Sequence, residues 1–149
     1  MVFSIVDIET TGGSHGNRIT EIAVVKTDGV RILDSYETLI NPHIFIPKSI
    51  TLLTGITNNL VNSAPDFEEV SSDFLKFLEG SIFVAHNVSF DYSIIKNHFE
   101  DLSIPFNSKK LCTVRLSRSI IPNHASYSLG KLCRELGIKN HKRHRAMGD

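Results

Sequence analysis

The chain opens on an alternating run. Over residues 2–9, Val2, Ser4, Val6 and Ile8 fall on one side of an extended backbone, and Phe3, Ile5, Asp7 and Glu9 on the other. That period of two predicts a strand. The stretch Gly12-Gly13-Ser14-His15-Gly16-Asn17 reads as a turn. A second strand is expected over 18–27, and Asp28-Gly29 signals a hairpin into a third over 30–40, giving an antiparallel meander. Pro42 and Pro47 bracket an extended stretch, and residues 49–54 suit a short helix ended by Gly55. Asp66 then opens a helix to Leu78 with an apolar stripe of Phe67, Val70, Phe74, Leu75 and Leu78, stopped by Gly80. Ile82-Phe83-Val84-Ala85 is wholly apolar, as a buried parallel strand would be. A helix over 89–100 is expected to turn Phe90, Ile94, Ile95 and Phe99 inward. A short strand at 110–113 and a helix at 128–136, ended by Gly137, complete the pattern. The order β-β-β-α-β-α-β-α predicts an α/β domain with a mixed sheet.

Composition narrows this little. The 149 residues are 41% apolar and 21% charged, as in an ordinary globular domain. No apolar run approaches the roughly 18 residues of a membrane helix, and the N-terminus lacks the basic start of a signal peptide. A cytoplasmic protein without a membrane partner is the expectation. Cys112 and Cys133 have no metal-binding spacing and read as small packing residues. The formal net charge is zero, so nothing in bulk charge announces a nucleic-acid binder.

The chemistry lies in four segments. Asp7 and Glu9 share a strand face at a spacing of about 6.6 Å. Two like charges side by side on an apolar strand are costly unless a cation neutralises them. An oxygen-only ligand set suits Mg²⁺ or Mn²⁺, although an edge strand with one solvated face would also carry such a pair. Thr10-Thr11-Gly12 follows directly, and small residues past a strand end let backbone N–H groups approach a phosphate. Beyond the apolar strand 82–85 comes His86-Asn87-Val88-Ser89-Phe90-Asp91, which places Asp91 in the first turn of a helix at a strand tip. Last, His144 and Asp149 are five residues apart, too far round a helix to share one face. His144 is therefore expected in an approach loop, with Asp149 on a helix beginning there.

Together these segments resemble the DEDDh exonuclease family, to which the epsilon proofreading subunit of bacterial DNA polymerase III belongs. Its D-x-E-T-T-G motif is matched at Asp7–Gly12, H-N-x-x-F-D at His86–Asp91, and H-x-x-x-x-D at His144–Asp149. Asn41-Pro42, the run Leu53–Thr57 and Ser128–Leu132 resemble it between the motifs. The resemblance implies a ribonuclease H-like fold, with a mixed five-stranded sheet and helices on both faces. It implies hydrolysis from the 3′ end of DNA, or of RNA on the same scaffold, releasing nucleoside 5′-monophosphates. A non-catalytic binding module is the remaining alternative.

In such an enzyme Asp7, Glu9, Asp91 and Asp149 would hold two divalent ions, Mg²⁺ or Mn²⁺, about 3.5–4 Å apart, and His144 would take a proton from the attacking water. The ions would also reverse the local charge, so that four carboxylates need not repel a phosphodiester. Thr10, Thr11 and Gly12 would face the terminal nucleotide, with His86 and Asn87 near the scissile region. Leu52 or Leu53 with Ile56 would wedge against the terminal base, and Phe90 would wall the pocket; core packing is the other reading of these four. Lys139, Lys142, Arg143 and Arg145 would add phosphate contacts. A DNA polymerase or replication complex is the partner the resemblance suggests. Family members continue with a helix after the last aspartate, so residues 1–149 are expected to be the exonuclease domain of a longer protein. His15, His43, His98, His124 and His141 follow no ligand spacing, and Tyr36, Tyr92 and Tyr127 read as packing residues.

Overall fold

The computed structural model describes residues 1–12, 16–139 and 144–148. Its elements are β1 (Phe3–Thr10), β2 (Ile19–Thr27), β3 (Ile32–Leu39), α1 (Lys48–Thr54), α2 (Asn58–Val61), α3 (Phe67–Leu78), β4 (Ile82–Ala85), α4 (Ser89–Asp101), β5 (Lys110–Cys112), α5 (Thr113–Ile120) and α6 (Leu129–Glu135). The five strands form one sheet in the order β3-β2-β1-β4-β5. β1, β2 and β3 pair antiparallel, whereas β4 and β5 join parallel to β1, so the sheet is mixed.

Local chemistry accounts for most boundaries. The Asp28 carboxylate accepts from the Val30 and Arg31 N–H groups and closes the β2–β3 hairpin. α3 starts in a capping box: Asp66 accepts from the Glu69 N–H, and the Glu69 carboxylate accepts from the Asp66 N–H. α1 ends at Gly55 in the left-handed region.

One sheet face carries the core. Val6, Ile8, Ile22 and Val24 point into a cluster with Phe67, Phe74 and Leu78 of α3 and Ile94, Ile95 and Phe99 of α4. Phe74 stacks on Phe99, Phe99 on Phe106, and Phe67 meets Phe99 edge-on. On the opposite face stand Ile5, Asp7 and Glu9, and opposite them on β2 Val25, Ala23 and Glu21. Leu129 of α6 and Ala146, Met147 and Gly148 come over this face and enclose a cavity of about 280 Å³ with Asp7 and His86. β1 is the central strand, so the expected carboxylate pair sits mid-sheet on the less covered side.

Three expectations need correction. α2 was not foreseen, because four residues carry too little periodicity to read. Nor was α5, whose Thr113-Val114 start favours a strand locally but which turns helical directly from β5. Phe90 is 44% exposed instead of inward. It lies in the first turn of α4 and lines an open cleft with Gly16, Asn17 and Arg18, where no core element covers it.

Candidate active site

The site is built at the end of β1 that points away from the β2–β3 hairpin. Asp7 and Glu9 lie on the same face, both partly buried. The parallel pairing of β1 with β4 runs from Phe3 to Ile5. Past it, the Ile8 backbone N–H is directed at the carboxyl of Asp91, which takes the place of a strand neighbour. Asp91 sits in the first turn of α4 and is only 4% exposed. Burial pushes its carboxyl up to about 7, against its own backbone N–H and that of Ile8, which pull it down. A buried carboxyl of this kind fits a nearby cation, which would favour its charged form. Asn87, at φ 70°, makes the left-handed turn that starts α4, a conformation asparagine tolerates. Its carbonyl accepts from the Phe90 N–H.

The motif residues divide into those that face open space and those that hold the frame. Thr11 is 1% exposed; its hydroxyl accepts from the Arg18 N–H and its own N–H donates to the Arg18 carbonyl. Its bonds tie the end of β1 to Arg18, and it has no surface left for a nucleotide. The Thr10 hydroxyl accepts from the Gly12 N–H. Gly12 is left-handed at φ 62°, and a Cβ there would meet Ile50 of α1 at 2.8 Å. This approach brings α1, with Leu52 77% and Leu53 51% exposed, to the tip of β1. Ile56, in contrast, is fully buried and belongs to a small core with Ile46 and Val61.

His86 lines the Asp7 cavity, but both its ring nitrogens have protein partners. Nδ1 meets the Thr113 hydroxyl at 2.9 Å and Nε2 meets the Tyr127 carbonyl at 2.9 Å. Since a carbonyl can only accept, Nε2 donates to Tyr127, while Nδ1 shares its hydrogen bond with the Thr113 hydroxyl, which also lies 3.5 Å from the Ala85 carbonyl. His86 therefore fastens α5 and the segment before α6 to the end of β4.

Arg145 differs most from its expected role. Its guanidinium forks onto the Glu21 carboxylate, Nε donating at 3.0 Å and Nη2 in a shorter contact, and the Ala146 N–H donates to the same carboxylate at 2.8 Å. It is thus an anchor and not a free phosphate contact. The hydrogen bond to Glu21, with the charges of Glu21, Glu37 and Glu9, holds the guanidinium above its usual range. Glu21 is 1% exposed and lies across from Glu9 in the sheet. It was missed, and one signal for it was legible: a lone carboxylate inside the apolar run Ile19–Val25. The clamp fixes the backbone directly after His144, which sits in the left-handed region at φ 63°. Asp149, Lys142 and Arg143 lie outside the described residues. Among the described residues, no three His, Cys, Asp or Glu side chains are grouped so as to hold a metal ion.

Residues 4–149 match the family described as Exonuclease (RNase_T). The chain belongs to this exonuclease family. It is 38% identical over 148 residues to the PolC-type DNA polymerase III of Clostridium perfringens, covering 99% of this chain and 10% of that protein. It is 37% identical over 151 residues to the 3′-5′ exonuclease DinG of Bacillus subtilis, covering 99% of this chain and 16% of that protein. The chain therefore spans a small part of the curated relatives it matches. Among solved structures, Exonuclease X in complex with 5′ overhanging duplex DNA is 28% identical, with a TM-score of 0.73 over 92% of this chain and 74% of that one. The nuclease domain of 3′hExo bound to rAMP, described as a DEDDh family member, shares the fold at 18% identity, with a TM-score of 0.83 over 96% of this chain and 82% of that one. Among the described residues no helix is long and apolar enough to cross a membrane.

Proposed function

We propose that the chain is the nuclease domain of a 3′→5′ exonuclease that uses divalent ions to hydrolyse DNA from its 3′ end, releasing nucleoside 5′-monophosphates. The observation that carries this is the meeting of separate motifs: Asp91 of α4 lies against the backbone between Asp7 and Glu9 of β1. Asp7, Glu9, Asp91 and Asp149 are the proposed ligands, all oxygen donors, and Mg²⁺ or Mn²⁺ suits them. Two such ions, when bound, would supply positive charge at the attacking water and the leaving oxygen. His144 takes the proton of the attacking water, held by the Glu21–Arg145 clamp on the residue that follows it. The exposed side chains of Leu53 and Phe90 flank the terminal nucleoside, and the Thr10–Gly12 backbone lies beside it. Asn87 faces the strand, whereas His86 positions the surrounding walls. The DNA-bound relative favours DNA over RNA, and the PolC relative favours a polymerase or replication complex as partner in the cytoplasm.

The test is Mn²⁺-dependent degradation of 5′-labelled single-stranded DNA, with matched RNA. A ladder shortening from the 3′ end is expected, reduced by on the order of a thousandfold in Asp7→Ala. Preferential cleavage of the RNA would reassign the substrate. Metal-independent cleavage, or cleavage unaffected by Asp7→Ala, would overturn the proposal.

A further inference from the structure

A second hollow shares a wall with the Asp7 cavity. The hydrogen-bonded bridge Thr113–His86–Tyr127 separates them. Thr113 and Leu129 face the Asp7 side, while their chain neighbours Cys112, Val114 and Ser128 face the other. This second hollow is an open cleft of about 720 Å³ between the β4–α4 turn, α5 and the segment before α6. Arg115 and Arg118, three apart and so on one face of α5, line it together with Asn87, Ser126 and Ser128. No aspartate or glutamate is among its described lining residues; His124 at its rim is hydrogen-bonded to Glu135.

The two arginines are unlike most others in the chain. Arg18 is paired with Asp101, Arg31 with Asp28 and Arg145 with Glu21. Arg115 and Arg118 are exposed and form no ion pair among the described residues; Arg118 lies 5.5 Å over the Tyr127 ring. In a chain of zero net charge this is a local concentration of uncompensated cation. Guanidinium forks, hydroxyls and an amide are the set that holds a phosphodiester backbone without reading its bases.

We propose that this cleft binds the sugar–phosphate backbone of the nucleic-acid strand upstream of the bond being cut, with Arg115 and Arg118 as its phosphate contacts. The proposal rests on the nuclease reading and adds the path of the strand. The cleft begins at Asn87, the residue that the proposed function turns toward the strand, on the far side of the His86 bridge from the Asp7 cavity. It also places binding affinity in a local bed, where the bulk charge offers none.

The test compares two substrates in the R115A/R118A double variant: a single-stranded oligonucleotide, and the p-nitrophenyl ester of thymidine 5′-monophosphate, which has no upstream phosphate. The expected result is a KM for the oligonucleotide raised about tenfold, with the slope of log affinity against log salt reduced by about 1.4, two contacts' worth. Ester hydrolysis stays at the wild-type rate, and Arg31→Ala at the hairpin changes neither. Unchanged KM and salt slope overturn the proposal, as does a proportional loss on the ester, which would place the arginines' effect at the reacting centre. If the wild-type chain hydrolyses neither substrate, the nuclease reading fails separately. Oligonucleotide binding by fluorescence anisotropy then decides: weakened binding in the double variant supports the cleft, and equal binding removes it.

Discussion

Glu21 and Arg145 form one ion pair with unequal partners. The Glu21 side chain is 1% exposed and that of Arg145 is 36%. Removing the arginine strands a carboxylate in the interior, whereas removing the glutamate frees a cation that can swing to water. Arg145→Ala is therefore expected to destabilise the chain by about 3 kcal/mol, more than Glu21→Ala, in denaturant unfolding. An equal or reversed order would show that Glu21 reaches solvent when unpaired. Both changes also release the backbone after His144. In Glu21→Gln, which keeps the shape but loses the charge, kcat is expected to fall by about a hundredfold with KM little altered. Motif reading singled out His144 and treated Arg145 as surface charge, because the partner lies on β2, 124 positions away. Thr11 and His86 teach the same lesson. Their place in a motif was evident, but their hydrogen bonds go to the protein.

At the scale of elements, Gly12 joins the strand carrying the acids to the helix carrying the exposed leucines. Its φ of 62° disfavours any side chain, and a Cβ would press the Ile50 side chain at 2.8 Å. Gly12→Ala is expected to cost about 1–2 kcal/mol, read as a lower denaturation midpoint. The Ile50 Cδ1 is the end of a flexible side chain, so shortening it in Gly12→Ala/Ile50→Val should recover the crowding part and leave the backbone part. Full recovery would mean that the φ of Gly12 is not a constraint. The long elements were legible because each has a period: two in β1, and the apolar stripe in α3. Those missed, α2 and α5, are short and depend on what precedes them. α5 begins where β5 ends because Thr113 is tied to His86, a contact across the sheet that no local window contains.

Across the whole molecule, His98 reports on how layers are joined. It lies in α4, is 7% exposed, and packs against Phe67 of α3. Nδ1 donates to the Ile94 carbonyl at 2.8 Å, and Nε2 accepts from the Ile19 N–H at the start of β2 at 3.5 Å. Burial holds its pKa below 6.5; the Ile94 carbonyl and Asp101 oppose this and Arg18 reinforces it. A depressed histidine is neutral in the folded chain and protonated more readily in the unfolded one. The stability it contributes is thus complete above about 6.5 and declines as pH falls from there toward the folded value. Asp91, raised to about 7, gains stability as pH falls over the same interval, so the His98 effect is read as a difference. The melting temperature of the metal-free chain minus that of His98→Gln is expected to shrink between pH 7 and 5. Parallel pH profiles for the two would show that His98 does not carry the effect.

The sequence by itself determined the α/β class, the antiparallel meander, the core stripe of α3 and the positions of Asp7, Glu9, Asp91 and His144, because period and spacing are local properties. Only the tertiary structure decided which motif residues face open space, that Phe90 is exposed, that Arg145 is spent on Glu21, and that Arg115 and Arg118 line a cleft beside the Asp7 cavity. Those facts depend on pairs of residues brought together from distant parts of the chain, and burial and hydrogen-bond partnership exist only once the sheet has assembled.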